Sequence, residues 1–198
     1  MASSEPTQAK ASDTRDGFRF RGGHVALDFP ATLAARRQAT PRELLALPSD
    51  LSRWLVAAGL TASALLVTQD DLETAKQLRE AIYAVAVARI EGTAPPVGAL
   101  DALNRIAAGE AAILKLDRDG QMRLLGSARA LLTSLAHEAI RLFGAEQADR
   151  IRQCESETCA LLFLDLSRSG DRRWCSMSGC GNRAKVAEFR RRKRAAPT

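Results

Sequence analysis

The sequence predicts an α+β fold: a predominantly helical N-terminal domain with a small β-hairpin, followed by a metal-binding module of knuckle, β-hairpin, knuckle and helix. Three observations predict it. Apolar residues recur at steps of three and four in several segments between residues 50 and 143, as in amphipathic helices. Asp119-Gly120 separates two short apolar runs, which is typical of a hairpin. All four cysteines fall in the last 45 residues, in two close pairs.

The chain of 198 residues is long enough for one domain or two small ones. Residues 1–16 (MASSEPTQAKASDTRD) lack an apolar stretch and are expected to be a disordered start. The polar stretch at residues 145–152 precedes the first cysteine, so we predict a helical domain over residues 17–149 and a second module over 150–198. The helical domain, with its own periodic helices, is expected to fold without that module.

No export signal is recognisable in the first residues, so a cytoplasmic location is expected. The longest uncharged stretch, residues 54–69, is 16 residues long and includes several polar residues. That is too short and too polar for a bilayer, and no membrane helix is expected.

The N-terminal domain is predicted to contain one strand and four helices besides the hairpin. They are a strand within residues 18–33 that Pro30 ends, a short helix between the caps Ser49 or Asp50 and Gly59, a long helix from the cap Thr68 to Gly92, a helix over residues 97–108, and a long helix from the cap Ser127 to Gly144.

The cysteines follow the pattern C-x4-C-x15-C-x4-C, with Cys154, Cys159, Cys175 and Cys180 as candidate ligands. Four thiolates suit one tetrahedral zinc ion, and two knuckles joined by a hairpin-length insert can bring them together. Disulfides are disfavoured in a cytosolic chain. An iron–sulfur site and buried or redox-active thiols remain alternatives.

The insert between the cysteine pairs is predicted to form a hairpin. Residues 161–164 are strand-like, residues 167–171 have turn composition, and residues 172–174 lead back to Cys175. After Cys180, Asn182 is predicted to cap a helix whose Val186 and Phe189 pack under the metal. This order of elements, ending in a helix, is similar to treble-clef zinc modules.

Two sequence motifs resemble a known pair of domains. The tetrapeptide Cys180-Gly181-Asn182-Arg183, after the run SRSGDRRWCSMSG, is similar to CGNR zinc fingers. The run GGHVALDFPATL resembles the ABATE domain, which usually precedes that finger in bacterial proteins described as stress-induced transcription regulators. The resemblance implies one zinc ion per chain, a DNA-binding finger on the bacterial nucleoid, and a regulatory or ligand-sensing N-terminal domain.

The positive charge is concentrated at the C-terminal end. Residues 1–149 hold 17 Lys and Arg against 18 Asp and Glu (−1), whereas residues 150–198 hold 12 against 5 (+7). This asymmetry favours a polyanionic partner, although a solubilising tail is the simpler alternative. One zinc with four thiolates carries −2, so Arg172, Arg173 and Arg183 beside the cysteines are candidates for neutralising it.

The basic residues further from the cysteines favour DNA. The candidate nucleic-acid contacts are Arg172, Arg173, Asn182, Arg183, Lys185, Arg190, Arg191, Arg192, Lys193 and Arg194. Asn182 and Arg183 are predicted to reach base edges, and the terminal basic run is predicted to hold phosphates. Aromatic residues for stacking are scarce here, which favours double-stranded DNA over single-stranded RNA.

Two other function classes are alternatives to a DNA-binding protein. A zinc-stabilised module that docks a protein is the first alternative. An enzyme is the second, with His24 and Asp28 or His137 and Glu138 as acid–base pairs. No nucleophile motif or glycine-rich phosphate loop accompanies them, so no enzyme is predicted. A small-molecule effector in the N-terminal domain and a homodimer are both compatible with the sequence.

Overall fold

The computed structural model describes residues 13–195. Its helices are α1 (Val25–Asp28), α2 (Pro48–Ala57), α3 (Gln69–Glu91), α4 (Val97–Ala107), α5 (Ala128–Gly144) and α6 (Asn182–Ala195). Its strands are β1 (Thr14–Arg15), β2 (Phe18–Arg19), β3 (Leu33–Ala34), β4 (Arg42–Glu43), β5 (Ile113–Leu116), β6 (Met122–Leu125), β7 (Ile151–Gln153) and β8 (Leu162–Leu164). Consecutive strands pair into four antiparallel hairpins, β1–β2 to β7–β8. No helix in this range is long and apolar enough to cross a membrane.

The α+β class and the four longer N-terminal helices are confirmed, although α2 begins at Pro48, so the predicted caps Ser49 and Asp50 lie inside it. Thr68 caps α3 through its hydroxyl, which accepts from the Asp71 backbone N–H at 3.1 Å, while the Asp71 carboxylate accepts from the Thr68 N–H at 3.0 Å. Gly92 ends the helix at φ +67°, a left-handed conformation that glycine adopts without strain. The hairpin β5–β6 turns at the predicted Asp119-Gly120. Local caps and turn residues therefore determine these boundaries.

The strand expected within residues 18–33, after the glycine pair and ended by Pro30, is wrong. The segment instead forms α1 and a 3-10 turn over Phe29–Thr32 that contains Pro30. His24 caps α1 by accepting from the Ala26 N–H at 3.2 Å. The Asp28 carboxylate accepts from the Gly22 N–H at 2.7 Å, so the chain curls back on itself instead of extending.

The disordered start predicted for residues 1–16 lies largely outside the described residues, but residues 13–16 are ordered. They form β1, which pairs with β2. The Asp16 carboxylate receives two hydrogen bonds from the Arg53 guanidinium, at 2.8 and 2.9 Å. This bidentate pair ties the hairpin to α2 and explains why the prediction is wrong for these residues.

One hydrophobic core joins the N-terminal helices. Its largest fully buried side chains include Trp54 and Phe29, whose ring centroids lie 4.6 Å apart. The same core contains Ile151, Leu162 and Leu164, which belong to β7 and β8. The core therefore continues across residue 150, where the sequence predicts the domain boundary.

The hairpin β7–β8 differs from the predicted one. The apolar run pairs with residues 151–153, before the first cysteine, and not with residues 172–174. Side chains alternate along β8, so Leu162 and Leu164 enter the large core while Phe163 joins the cysteines in a separate cluster. The Leu164 N–H also donates to the Gly22 carbonyl at 2.8 Å. Strand β8 is thus the common wall of the two cores.

Candidate metal centre and basic helix

The four cysteines lie on two loops. Cys154 and Cys159 occupy the loop between β7 and β8, where the Cys154 N–H donates to the Leu161 carbonyl at 2.9 Å. Cys175 precedes a π-helical turn over Met177–Gly181 that contains Cys180 and leads into α6. Ser176, not Asn182, is the capping residue here, because its hydroxyl accepts from the Gly179 N–H at 3.1 Å. Asn182 is the first residue of α6, so its predicted capping role is wrong.

The cysteine sulfurs form a compact cluster that fits one zinc ion. All four Sγ atoms lie within 4.8 Å of one another and all four residues are buried. The Cys175–Cys180 and Cys159–Cys175 sulfur pairs are 3.6 and 3.9 Å apart. Zinc–sulfur bonds of about 2.3 Å in a tetrahedron give sulfur–sulfur edges of about 3.8 Å. A multi-iron cluster holds its thiolates further apart, so this spacing favours a single ion.

The electrostatics of the sulfurs favour a cation if all four are to be thiolates. Hydrogen bonds from Cys159 and Cys175 hold the pKa of the Cys154 thiol far below its usual range. The hydrogen bond to Cys154 raises the pKa of Cys159 to about 11, and bonds to Cys154 and Cys159, with burial, raise the pKa of Cys175 further. Ionisation of one thiol therefore makes ionisation of its neighbours less favourable. A divalent ion at the centre of the cluster offsets this repulsion, so that four thiolates are stable together.

The apolar surroundings of the cysteines differ from the predicted ones. Leu161 and Phe163 are buried against them, and Trp174 and Ala31 pack on the same cluster. Val186 and Phe189, expected under the metal, are 40% and 68% exposed. They lie on the side of α6 that faces away from the sulfurs, so their predicted packing is wrong.

Three arginines predicted beside the cysteines have specific partners. Arg183 Nη2 donates to Cys180 Sγ at 3.0 Å. Arg172 donates to the backbone carbonyls of Trp174 (2.8 Å) and Cys175 (2.5 Å), and its guanidinium lies 4.5 Å from the Phe163 ring centroid. Arg173 forms an ion pair of 2.6 Å with Glu155. Of the three, only Arg183 contacts a cysteine sulfur directly, so it alone lies where it can offset thiolate charge.

Arg37, in the loop between β3 and β4, is a functional residue that sequence reasoning missed. Its guanidinium donates to the backbone carbonyls of Cys154 (3.0 Å) and Ser156 (3.1 Å) in the first knuckle. It also donates to the Gln153 side chain, which in turn donates to the Tyr83 hydroxyl at 2.8 Å. Arg37 and Cys154 are 117 residues apart in sequence, and no local motif signals this contact.

Helix α6 has two different sides. One side borders a groove of about 900 Å³ whose lining includes Arg183, Lys185 and Glu188 from the helix and Glu155 and Glu157 from the first knuckle. The opposite side, which we call the outward face, does not line that groove. The outward face consists of Asn182, Val186, Phe189, Arg190 and Lys193, all of them exposed.

The basic residues of α6 divide in the same way. Arg191 and Arg192 form ion pairs with Glu188 at 2.5 and 2.8 Å. Arg190, Lys193 and the neighbouring Arg194 form no ion pair with any described residue. Unpaired cations on an exposed helix are available to an external anion.

The two acid–base pairs considered in the sequence have structural contacts. His24 caps α1, and its Nε2 lies 3.8 Å from a Glu138 carboxylate oxygen. Burial lowers the pKa of His24, and Glu138 partly opposes that shift. His137 Nε2 lies 2.7 Å from the Ala107 carbonyl. Burial raises the pKa of Asp28 to about 6, against the opposing hydrogen bond from Gly22.

Comparison with known families gives matches over both parts of the chain. The family model for the ABATE domain, described as "Putative stress-induced transcription regulator", matches residues 23–146. The model for the CGNR zinc finger matches residues 150–193, which include all four cysteines. Both are regulator or zinc-finger families and neither is a family of enzymes. Among curated proteins, no sequence matches this chain. The ABATE match spans more than half of the 198 residues, and the chain therefore belongs to the ABATE family, with a zinc-binding CGNR finger at its C-terminal side.

Proposed function

We propose that this regulator binds double-stranded DNA through the outward face of α6, which the zinc centre holds in position. The observation that carries the proposal is the pair of exposed cations Arg190 and Lys193 on that face, which, like the adjacent Arg194, have no ion-pair partner among residues 13–195. DNA phosphates are the polyanion that such a helix meets in a transcription regulator.

The shape of α6 suits a DNA groove. The helix is 14 residues long and exposed along its outward face, and the major groove of B-DNA admits one α-helix. Asn182 lies at the start of α6, where its amide can reach a base edge, and Val186 and Phe189 offer apolar contacts for thymine methyl groups. Arg190 and Lys193 follow along the same face and bind phosphates, which sets the orientation of the helix on the duplex.

The remaining predicted contacts have a different part in this proposal. Arg172 and Arg183 support the metal site through Cys175 and Cys180, so they orient α6 without reading bases. Arg173, Arg191 and Arg192 are already paired with Glu155 or Glu188 and contribute only to the general positive field. Lys185 lines the groove side of α6 and is a weaker candidate than the outward face.

The N-terminal domain is regulatory rather than catalytic in this account, and the protein works in the cytoplasm, on the nucleoid. Support comes from its contacts with the finger: Arg37 holds the first knuckle, and the core continues into β7 and β8. A change in the packing of the N-terminal helices therefore has a physical route to the metal centre.

One observation favours a second candidate, a finger that docks a protein. Val186 and Phe189 are exposed apolar side chains at i, i+3 on α6, a spacing that helix-in-groove partners use. Band-shift titrations of a random and a selected duplex over a salt series separate the two. DNA binding predicts a shift whose log affinity falls linearly with log salt. A protein-docking finger leaves the duplex unshifted at physiological ionic strength.

A further inference from the structure

The hairpin β5–β6 exposes a continuous apolar face. Strand register pairs Leu114 with Leu124 and Leu116 with Met122, so these four side chains share one side of the ribbon. Leu114, Leu116 and Met122 are 64%, 71% and 67% exposed. Leu124 is half-buried and packs on the main core, which anchors the base of the ribbon. The distal end therefore projects an uncovered apolar surface.

The other face of the same ribbon is charged near the turn and apolar at its base, where Ile113 pairs with Leu125. Lys115 and Arg123 lie directly opposite each other there, and Arg123 Nε donates to an Asp117 carboxylate oxygen at 2.8 Å. The turn residues Asp117 and Asp119 complete this charged end. Near the turn, this charged face is solvated, whereas the face of Leu114, Leu116 and Met122 is apolar up to the turn and has no partner among the described residues.

An uncovered two-stranded ribbon is not a stable arrangement in water. Isolated hairpins are marginal, and a hydrophobic face normally packs against further strands or a helix. The three exposed side chains present on the order of 400 Å² per copy, which is within the range of the largest functional patch on a monomer. A partner that covers this area removes the unfavourable free energy of apolar surface in contact with water.

We propose that the apolar face of β5–β6 is a homodimer interface, covered by the same face of a second copy of this chain. The face carries no charge, so a two-fold axis brings identical apolar rows together without unpaired charges. Two such faces bury on the order of 800 Å² from these side chains alone, and the adjoining backbone raises the total toward the roughly 1,000 Å² of a specific interface. Lys115 and Arg123 stay in solvent on the far side and block edge-to-edge pairing.

Sedimentation equilibrium of the zinc-loaded full chain tests the interface. The chain mass is 21.4 kDa, so the dimer is expected at twice that value, 42.8 kDa. The double substitution Leu116→Lys and Met122→Lys is expected to weaken the dimer roughly a hundredfold or more, because it places charges in the apolar contact. Lys115→Ser, on the polar face of the same strand, is the matched control and should leave the dimer unchanged.

Several outcomes would overturn the proposal. Wild-type chain that sediments as a monomer throughout the micromolar range means that another molecule, or none, covers the face. A dimer that survives both lysines means that the contact lies elsewhere. Circular dichroism must show wild-type helicity, and Leu116→Ser with Met122→Ser is a milder pair expected to weaken the dimer in the same direction. Mass is measured without DNA, so the result is independent of the function proposed for α6.

Discussion

The guanidinium of Arg183 donates a hydrogen bond to the sulfur of Cys180 at 3.0 Å, between the start of α6 and a predicted zinc ligand three residues earlier. A cation bonded to a thiolate offsets part of the −2 charge that one zinc and four thiolates carry. The contact also fixes the first turn of α6 relative to the metal. Arg183, which the sequence suggests as a base contact, thus has a partner within the metal site, the Cys180 sulfur.

Replacement of Arg183 by alanine is expected to lower zinc affinity by about 10–100-fold, because the Cys180 thiolate loses its charged donor. Competition with a chromophoric chelator at pH 7 measures this. Arg190→Ala, on the outward face, should leave zinc affinity unchanged. Unaltered zinc binding in Arg183→Ala would show that the bond is dispensable and return Arg183 to the candidate base contacts.

The role of the outward face in DNA binding can be tested with two variants of α6. Each removes two positive charges, one from the outward face and the other from the ion-paired side. Arg190→Ala with Lys193→Ala should weaken binding to all duplexes and reduce the log–log salt slope by about 1.8, since each phosphate contact contributes about 0.9. Arg191→Ala with Arg192→Ala should have a smaller effect, because Glu188 already pairs with both arginines. Equal losses in the two variants would contradict the assignment of the outward face.

The continuous core makes a prediction about the domain boundary. Leu162 is buried among the N-terminal helices, so Leu162→Ala should lower the free energy of unfolding of the helical domain by about 2–5 kcal/mol. Urea denaturation followed by helical circular dichroism measures it. Leu166→Ala is the control, because Leu166 is 67% exposed. A helical transition unmoved by Leu162→Ala would support a separately folding N-terminal domain ending before residue 150.

Local signals in the sequence account for the parts of the fold that were predicted. Thr68 and Gly92 delimit α3 through a cap and a left-handed terminus, both of which depend on neighbouring residues alone. The Asp119-Gly120 turn and the two cysteine pairs are equally local. Such features can be read without knowing what packs against them.

Several of the errors involve partners distant in sequence. The i, i+3 spacing of Val186 and Phe189 predicts an apolar stripe on α6, but it does not tell what the stripe packs against. In the structure Phe163, not this stripe, packs against the cysteines. The run at residues 161–164 contains a strand, as predicted. Its pairing with residues 151–153 depends on how the loop that carries Cys154 and Cys159 folds back. Arg37 contacts Cys154 across 117 residues, a relation that only the tertiary fold establishes.

The buried carboxyl of Asp28 predicts a pH dependence of stability. Its pKa is raised from 3.8 to about 6 by burial, so the folded chain holds a proton there that the unfolded chain releases. The resulting stability is complete below pH 3.8 and is lost as the pH rises to 6 and beyond, on the order of 3 kcal/mol in total.

Asp28→Asn removes this titration while keeping an oxygen acceptor for the Gly22 N–H. The difference in unfolding free energy, variant minus wild type, should rise between about pH 4 and pH 6 and then level off. Both chains lose zinc at low pH, and this effect on the unfolding free energy cancels in the difference. A pH-independent difference would mean that Asp28 has the same pKa folded and unfolded.

The central claim is that zinc holds α6 in the form that binds DNA, and fluorescence anisotropy of a labelled duplex tests it most directly. The account predicts that zinc-loaded chain binds with an affinity that falls steeply with salt, that chelation weakens binding at least about tenfold, and that added zinc restores it. Zinc-loaded chain that leaves the duplex free at physiological salt, or stripped chain that binds as tightly as loaded chain, would contradict the account.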